Sequence, residues 1–296
     1  MNCNLCPRKC NTDRSVKIGA CGTGETLRVA RAALHFWEEP CISGEEGSGA
    51  VFFSGCTLGC VYCQNGEISR GKSGIEITPN RLTEIFFELK ARGANNINLV
   101  TPDHYAEKVA DAVSAAKQAG LERPIIVNTG GYLSDEILDL LLPVTDIRLT
   151  DFKYMSADLA LRYSRARDYP EVAAGALDRI VSAVGVPKYD RRGMMTKGVI
   201  VRHLMLPGCL DDSKSVVRYL YGKYGDGIVL SLMNQYTPPE YLKDIYPEIA
   251  MAVPEDDYEA LIDYALDLGV ENAYIQEGGT VSESFIPAFD GTGVLR

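Results

Sequence analysis

Ser54-Gly-Cys-Thr-Leu-Gly-Cys-Val-Tyr-Cys-Gln-Asn65 sets Cys56, Cys60 and Cys63 in a C-x3-C-x2-C spacing, directly after the apolar run Gly49-Ala-Val-Phe-Phe53. The apolar run reads as a strand and the glycine-bearing Cys segment as the loop that follows it. Three thiolates this close can hold three corners of a four-iron cluster and leave the fourth iron open to a substrate. An electron-transfer ferredoxin closes that corner with another Cys, so an open corner signals chemistry. With nine Cys in 296 residues, chance gives such a spacing in about one chain in a hundred.

From about residue 49 onward, short apolar runs alternate with amphipathic stretches of helical length. Strands are expected at 50–53, 96–100, 124–127, 146–150, 198–204, 227–232 and 273–275, and helices near 79–92, 105–119, 134–142, 170–184, 213–224 and 254–268. Ser134 reads as an N-cap, and Pro79 and Pro254 suit a first helical turn. Strands alternating with helices predict parallel βαβ units, and six or seven of them predict an α/β fold of the partial (β/α)6 TIM-barrel type. Function in such a barrel sits in the loops after the strand C-termini, where the Cys56 loop lies. Residues 1–47 are rich in Cys, Gly and charge and show little periodicity. They read as a Cys-rich metal-binding segment, followed by the barrel at 48–280 and a C-terminal tail at 281–296.

Composition narrows the function. The chain is 46% hydrophobic and 24% charged, ordinary for a globular protein. The net charge of −10 argues against sequence-independent nucleic-acid binding, which needs a basic footprint. No run of 18 or more apolar residues suggests a membrane span, and the start Met-Asn-Cys-Asn-Leu-Cys-Pro-Arg has no signal-peptide pattern. A cytoplasmic protein is expected. Clustering of the cysteines at 3–21 and 56–63 in a long chain favours metal over disulfides.

Cys3, Cys6, Cys10 and Cys21 form C-x2-C-x3-C-x10-C. Four thiols in so short a segment suit a closed zinc site or an auxiliary iron–sulfur cluster, and zinc is the preferred reading. The spacing runs in the opposite order to that of the Cys56 loop, so it does not predict a second cluster with an open corner. Cys41 is expected to be buried and Cys209 structural. His35, Trp37, Glu38 and Glu39 form a polar and aromatic patch, readable as an acid/base or substrate-gripping group or as a packed strand with exposed carboxylates.

The loop Gly55-Cys-Thr-Leu-Gly-Cys-Val-Tyr-Cys-Gln-Asn65 resembles the signature of radical S-adenosylmethionine (SAM) enzymes. With Cys3-Asn-Leu-Cys-Pro-Arg-Lys-Cys10, His35-Phe-Trp-Glu-Glu-Pro-Cys-Ile-Ser-Gly44 and Val100-Thr-Pro-Asp-His-Tyr105, the chain is similar to the pyruvate formate-lyase activating enzyme-related branch. The resemblance implies a [4Fe–4S] cluster on Cys56, Cys60 and Cys63, with SAM chelated to the unique iron. It implies reductive cleavage of SAM to a 5′-deoxyadenosyl radical that abstracts hydrogen from a substrate, with a flavodoxin or ferredoxin as low-potential electron donor. The protein then supplies placement and exclusion of water.

The same resemblance puts Tyr62 near adenine and gives Thr150-Asp-Phe-Lys-Tyr154 the look of an activating-enzyme Asp-x-Lys element, with Lys153 toward the SAM carboxylate and Asp151 orienting it. Related enzymes bind the SAM amino group with a Gly-Gly-Glu-like turn. Here Thr101-Pro-Asp-His104 stands in that place, so Thr101 or Asp103 is the expected substitute, with capping of the next helix as the other reading of Asp103. Asn128-Thr-Gly-Gly-Tyr132 offers an amide and a close backbone approach to a ligand. Arg202 is a charge inside an apolar strand and needs a buried partner, for which a ligand carboxylate is one option; His203 beside it faces the other way. Asn234-Gln235-Tyr236 follows the sixth strand and is a weaker contact site.

Three functions are compatible with these readings. One is a glycyl-radical activase acting on a protein substrate. The second is a radical SAM enzyme acting directly on a small molecule, cofactor or peptide, for which the altered 101–104 turn and the extra N-terminal cysteines speak. The third is a non-catalytic iron–sulfur electron carrier, against which the open three-Cys loop argues.

Overall fold

Every apolar run predicted as a strand forms one, and all share a sheet. The computed structural model describes residues 2–276 and 286–295. In chain order the principal strands are β1 (Leu27–His35), β2 (Ser48–Phe53), β3 (Ile75–Ile77), β4 (Ile97–Val100), β5 (Ile125–Thr129), β6 (Ile147–Asp151), β7 (Met195–Leu204), β8 (Val229–Met233) and β9 (Ala273–Ile275). The principal helices are α1 (Pro79–Ala91), α2 (Ala106–Gln118), α3 (Asp135–Leu141), α4 (Ala157–Ser164), α5 (Tyr169–Val184), α6 (Leu210–Tyr224) and α7 (Glu255–Asp267). The strand order is β9-β8-β7-β6-β5-β4-β2-β1-β3. All neighbours from β9 to β2 are parallel, and β1 and β3 add an antiparallel edge. Among the described residues β9 and β3 do not pair, and the parallel strands with their helices form a mixed α/β sheet of the TIM-barrel-like kind.

Period-two alternation sorts the side chains. Ile126, Ile147, Leu149, Ile200 and Val229 meet on the inner face, where Cys41 and Ile42 of the short helix Pro40–Ser43 pack against them. Ile97, Leu99, Val127, Val201 and Leu230 point the other way, into the larger core under the helices. Thr78 caps α1 by accepting from the Arg81 N–H, and Ser134 caps α3 by accepting from that of Ile137. Pro254 stands at the N-cap of α7 rather than inside its first turn.

Three of these elements went unread, the short edge strand β3 among them. Helix α4 precedes α5 and is capped by Ser156. Strand β1 lies within the segment assigned to the Cys-rich module; a register shift between Val29 and Arg31 interrupts its alternation and hides the strand period. The stretch 1–47 is therefore divided, its first part cysteine-rich and its last part an edge of the barrel sheet. Residues 290–294 also join that edge: Ala32 N–H donates to Thr292 O and Gly291 N–H to Ala30 O, both at 2.9 Å. The expected boundary between 280 and 281 lies outside the described residues. No helix among the described residues is long and apolar enough to cross a membrane.

Candidate active site

The loop after β2 is shaped by its glycines and backbone. Gly55 has φ +93° and Gly59 φ +59°, a region that side-chain-bearing residues rarely enter. Gly55 N–H donates to Ile68 O (2.7 Å) and Val61 N–H to Tyr163 O (2.8 Å), fixing both sides of the turn. Cys56, Cys60 and Cys63 thereby face one another closely enough to interact electrostatically. Burial pushes the Cys56 thiol up to about 12, and burial with the Cys60 charge raises Cys63. Metal ions overturn that preference by replacing the protons. The sulfurs already have donors: Leu58 N–H reaches Cys56 Sγ at 3.4 Å, and Ser164 Oγ reaches Cys60 Sγ at 3.0 Å. Such bonds tune the potential of a bound cluster. Three thiols with sulfur-directed donors at the mouth of a cavity fit a cluster ligand set.

That cavity measures about 450 Å³ and opens at the C-terminal ends of the parallel strands. Its size falls within the range of small-molecule sites. Tyr62, Thr101, Asn128, Asp151, Lys153 and Arg202 all line it together with the three cysteines. Lys153 Nζ donates to Asp151 Oδ2 at 2.5 Å. Burial opposes the charge on Lys153, but Asp151, followed by the neighbouring Cys60, outweighs it and holds the ammonium well above its ordinary value. Gly131, with φ +80°, lets the β5 loop approach Asp151: an added Cβ would stand 2.4 Å from its carbonyl oxygen. Thr101 has φ +58°, an uncommon state for a β-branched residue, held by its N–H bond to Asn128 O at 2.8 Å. Tyr62 accepts from Tyr154 OH (2.7 Å) and packs edge-on against Tyr154, Tyr163 and Tyr236.

Several expectations change. Arg202 lines the cavity, but its partner is not a ligand: it donates to Glu39 Oε1 (2.7 Å) and Oε2 (2.6 Å), and to Glu38 Oε2. Burial would raise Glu39, yet Arg202 overrides it and keeps the carboxyl below the ordinary range. Asn98 Nδ2 donates to Glu38 Oε1 at 2.7 Å. His35, Trp37, Glu38 and Glu39 thus belong to the cavity wall rather than to a solvated strand. Asp103 neither lines the cavity nor caps α2. It is buried behind the sheet, where burial pushes its carboxyl up to about 7 against the pull of Arg148. Arg148, fully buried on the outer face of β6, was not singled out from the sequence. His203 faces outward as expected, bonded to Phe152 O and Ser213 Oγ, each at 2.9 Å. Of the segment after β8, Gln235 lines the cavity and Tyr236 supports Tyr62, whereas Asn234 does not line it. Gln276, also unread, accepts from the backbone N–H groups of Asn234 and Gln235 at 2.9 and 3.1 Å.

The N-terminal thiols act on one another electrostatically. Cys6 is buried, and burial followed by the charges of Cys21, Cys3 and Cys10 raises its pKa. Among the described residues no three His, Cys, Asp or Glu side chains stand at the spacing of ligands to one ion, at either thiol site. Cys41 is buried and Cys209 half-buried at the start of α6.

Residues 50–193 match the family model described as the Radical SAM superfamily. The uncharacterized protein MJ0674 of Methanocaldococcus jannaschii is 27% identical over 278 residues, spanning 90% of this chain and 76% of that one. The pyruvate formate-lyase 1-activating enzyme of Escherichia coli is 30% identical over 116 residues, 37% of this chain and 46% of the enzyme, so the match covers under half of that relative. Among solved structures, Streptococcus suis SuiB bound to its precursor peptide SuiA superposes with a TM-score of 0.54 at 11% identity, over 76% of this chain and 47% of SuiB. That likeness is one of fold.

Proposed function

With residues 50–193 placing the chain in the radical SAM superfamily, we propose that it is an enzyme that abstracts hydrogen from a substrate held in the 450 Å³ cavity. The observation that carries this reading is the convergence of Cys56, Cys60 and Cys63 with Asn128, Asp151 and Lys153 on one cavity at the C-terminal ends of the strands. Cys56, Cys60 and Cys63 would hold the [4Fe–4S] cluster, which with SAM bound supplies the electron for cleavage to methionine and a 5′-deoxyadenosyl radical.

The remaining work belongs to the chain's own residues. Lys153, kept charged by Asp151, presents an ammonium for the SAM carboxylate. The Asn128 amide and the backbone around Thr101 and Gly130 offer donors and acceptors for the amino group and ribose. Tyr62 closes one wall with an aromatic edge, and Arg202, Glu38 and Glu39 form a rigid polar floor. Together these walls exclude water from a site meant for a species that attacks any nearby C–H.

Activation of a protein partner by installing a glycyl radical is the first substrate reading, supported by the 30% identity to the Escherichia coli activating enzyme over 116 residues. A small-molecule substrate is the second, favoured by the polar floor and by the altered 101–104 turn. A flavodoxin or ferredoxin would donate the electron. The deciding experiment is anaerobic reconstitution with iron and sulfide, then reduction with SAM present. Formation of 5′-deoxyadenosine is expected in the wild type and not in Cys60→Ala; its absence from the wild type would overturn the proposal. Adding candidate glycyl-radical partners and reading the EPR doublet separates the two substrate readings.

A further inference from the structure

The floor of the cavity holds carboxylates that the handling of SAM leaves unused. Glu38 and Glu39 directly precede the short helix Pro40–Ser43, whose Cys41 and Ile42 pack on the inner face of the sheet. Their side chains are only 7% and 5% exposed. Carboxylates are rarely so buried without partners. Glu39 is well served: Arg202 Nε and Nη2 donate to its two oxygens, and the Ser231 side chain stands against it. Glu38 receives one donor on each oxygen, Asn98 Nδ2 on Oε1 at 2.7 Å and Arg202 Nη2 on Oε2. A carboxylate has about four acceptor sites, so about half of those on Glu38 stay open.

Asn98 supplies an independent observation. Ile97 and Leu99 point into the core under the helices, so Asn98, between them on β4, points into the lumen. It is fully buried, and its bond to Glu38 fixes the amide with Oδ1 beside the same carboxylate. Among the described residues Oδ1 accepts no hydrogen bond. A buried acceptor without a donor is costly and rare, which marks it as a ligand position. Its depth follows from the register. Asn98 pairs with Ile126, which packs on Cys41 and Ile42, whereas Asn128 lies two residues further along β5, about 7 Å nearer the mouth.

Charge points the same way. Among the described residues three carboxylates line the cavity, Glu38, Glu39 and Asp151, against two cations, Lys153 and Arg202. Glu39 and Arg202 answer each other, as do Asp151 and Lys153, which leaves the charge of Glu38. The floor therefore lacks a positively charged donor. An alkylammonium is one, with three N–H donors and no acceptor. An anionic head would instead meet Glu38 with like charge.

We propose that Glu38 and Asn98 form an ammonium-binding subsite at the floor of the cavity, and that the substrate attacked by the radical carries an alkylammonium group that docks there. The rest of that substrate extends toward the mouth, where Cys56, Cys60 and Cys63 lie. The inference rests on the radical SAM reading of the cavity and narrows its substrate.

The test is a binding measurement on the reconstituted, unreduced enzyme with SAM present, so that no turnover enters it. Calorimetric titrations at neutral pH and fixed ionic strength compare n-butylammonium, n-butanol, butyrate and the capped peptide acetyl-Gly-Lys-Gly-amide. Trp37, next to Glu38 in the chain and on the cavity wall, reports the same binding by fluorescence. n-Butylammonium is expected to bind at least tenfold more tightly than n-butanol or butyrate, and at least tenfold more weakly to Glu38→Gln than to the wild type. The peptide separates two sources of the group: binding as tight as that of butylammonium assigns it to a lysine side chain, and weaker binding to a free amine. Circular dichroism confirms that Glu38→Gln is folded; if it is not, Asn98→Ala, expected to weaken butylammonium in the same way, takes its place. Butylammonium that binds no more tightly than butanol or butyrate overturns the proposal, as does a folded variant that keeps the wild-type affinity. A wild type that binds butylammonium selectively but forms no 5′-deoxyadenosine on reduction would instead count against the proposed function alone.

Discussion

At the scale of single residues, the cavity wall is defined by groups whose cost is accepted for their position. Thr101 is held at φ +58°, a conformation that costs a β-branched residue about 1–2 kcal/mol. Thr101→Gly is therefore expected to leave the urea stability of the cluster-free chain unchanged or raise it by up to about 1 kcal/mol. A loss of more than about 2 kcal/mol would show that the threonine side chain carries a stabilising contact. Lys153 is the cation beside Asp151, 2.5 Å from its carboxylate. If it meets the SAM carboxylate, Lys153→Met removes one charge-assisted bond, worth about 1.5–3 kcal/mol. Isothermal titration of the reconstituted enzyme should then show SAM binding about 10- to 100-fold weaker, and unchanged affinity would remove Lys153 from the SAM site.

At the scale of elements, β7 shows how one strand serves two faces. Arg202 turns inward to Glu38 and Glu39, and His203 turns outward to the start of α6. Because the Phe152 carbonyl can only accept, His203 Nδ1 carries the proton and Nε2 accepts from Ser213 Oγ–H. Burial depresses His203 to about 4. A lowered folded pKa means stability that is complete above the unfolded value, about 6.5, and lost as pH falls from there through about 4. His203→Gln keeps a donor and an acceptor but cannot titrate. Thermal melts of the cluster-free chain should show the wild type losing more stability than this variant between pH 7 and pH 4.5; parallel curves would count against a buried neutral His203.

At the scale of the whole molecule, the sheet and the Cys56–Cys63 loop enclose one cavity, and a ligand that fills it should stabilise both together. SAM at a hundred times its dissociation constant adds about 2.7 kcal/mol if it binds only the folded state. The melting temperature of the reconstituted protein should rise accordingly, and the rise should be absent in Cys60→Ala. Trp37 is the sole tryptophan and sits on the cavity wall, so its fluorescence should shift with saturation at the same SAM concentration. A thermal shift without a fluorescence change would place the ligand away from that wall.

Much of this was legible in the chain itself, because local chemistry wrote it. Parallel strands buried on both faces become continuous apolar runs, and all seven were read; the C-x3-C-x2-C loop with its glycines showed its own place after a strand. Strand-end residues such as Asn128, Asp151 and Lys153 could be named because a barrel puts strand ends around one mouth. What the sequence left open depends on contacts between distant segments. Glu38 and Glu39 lie more than 160 positions from Arg202, so the answer to its buried charge was invisible until the sheet curved. Strand β1 hid behind a register shift, and the electrostatic pull of Arg148 on the buried Asp103 needed the back of the sheet to form. Nothing in the sequence singles out Arg8. Only the tertiary structure brings it to four carbonyls of the cluster loop and α4, because hydrogen-bond geometry is set by where the chain arrives rather than by what it is made of.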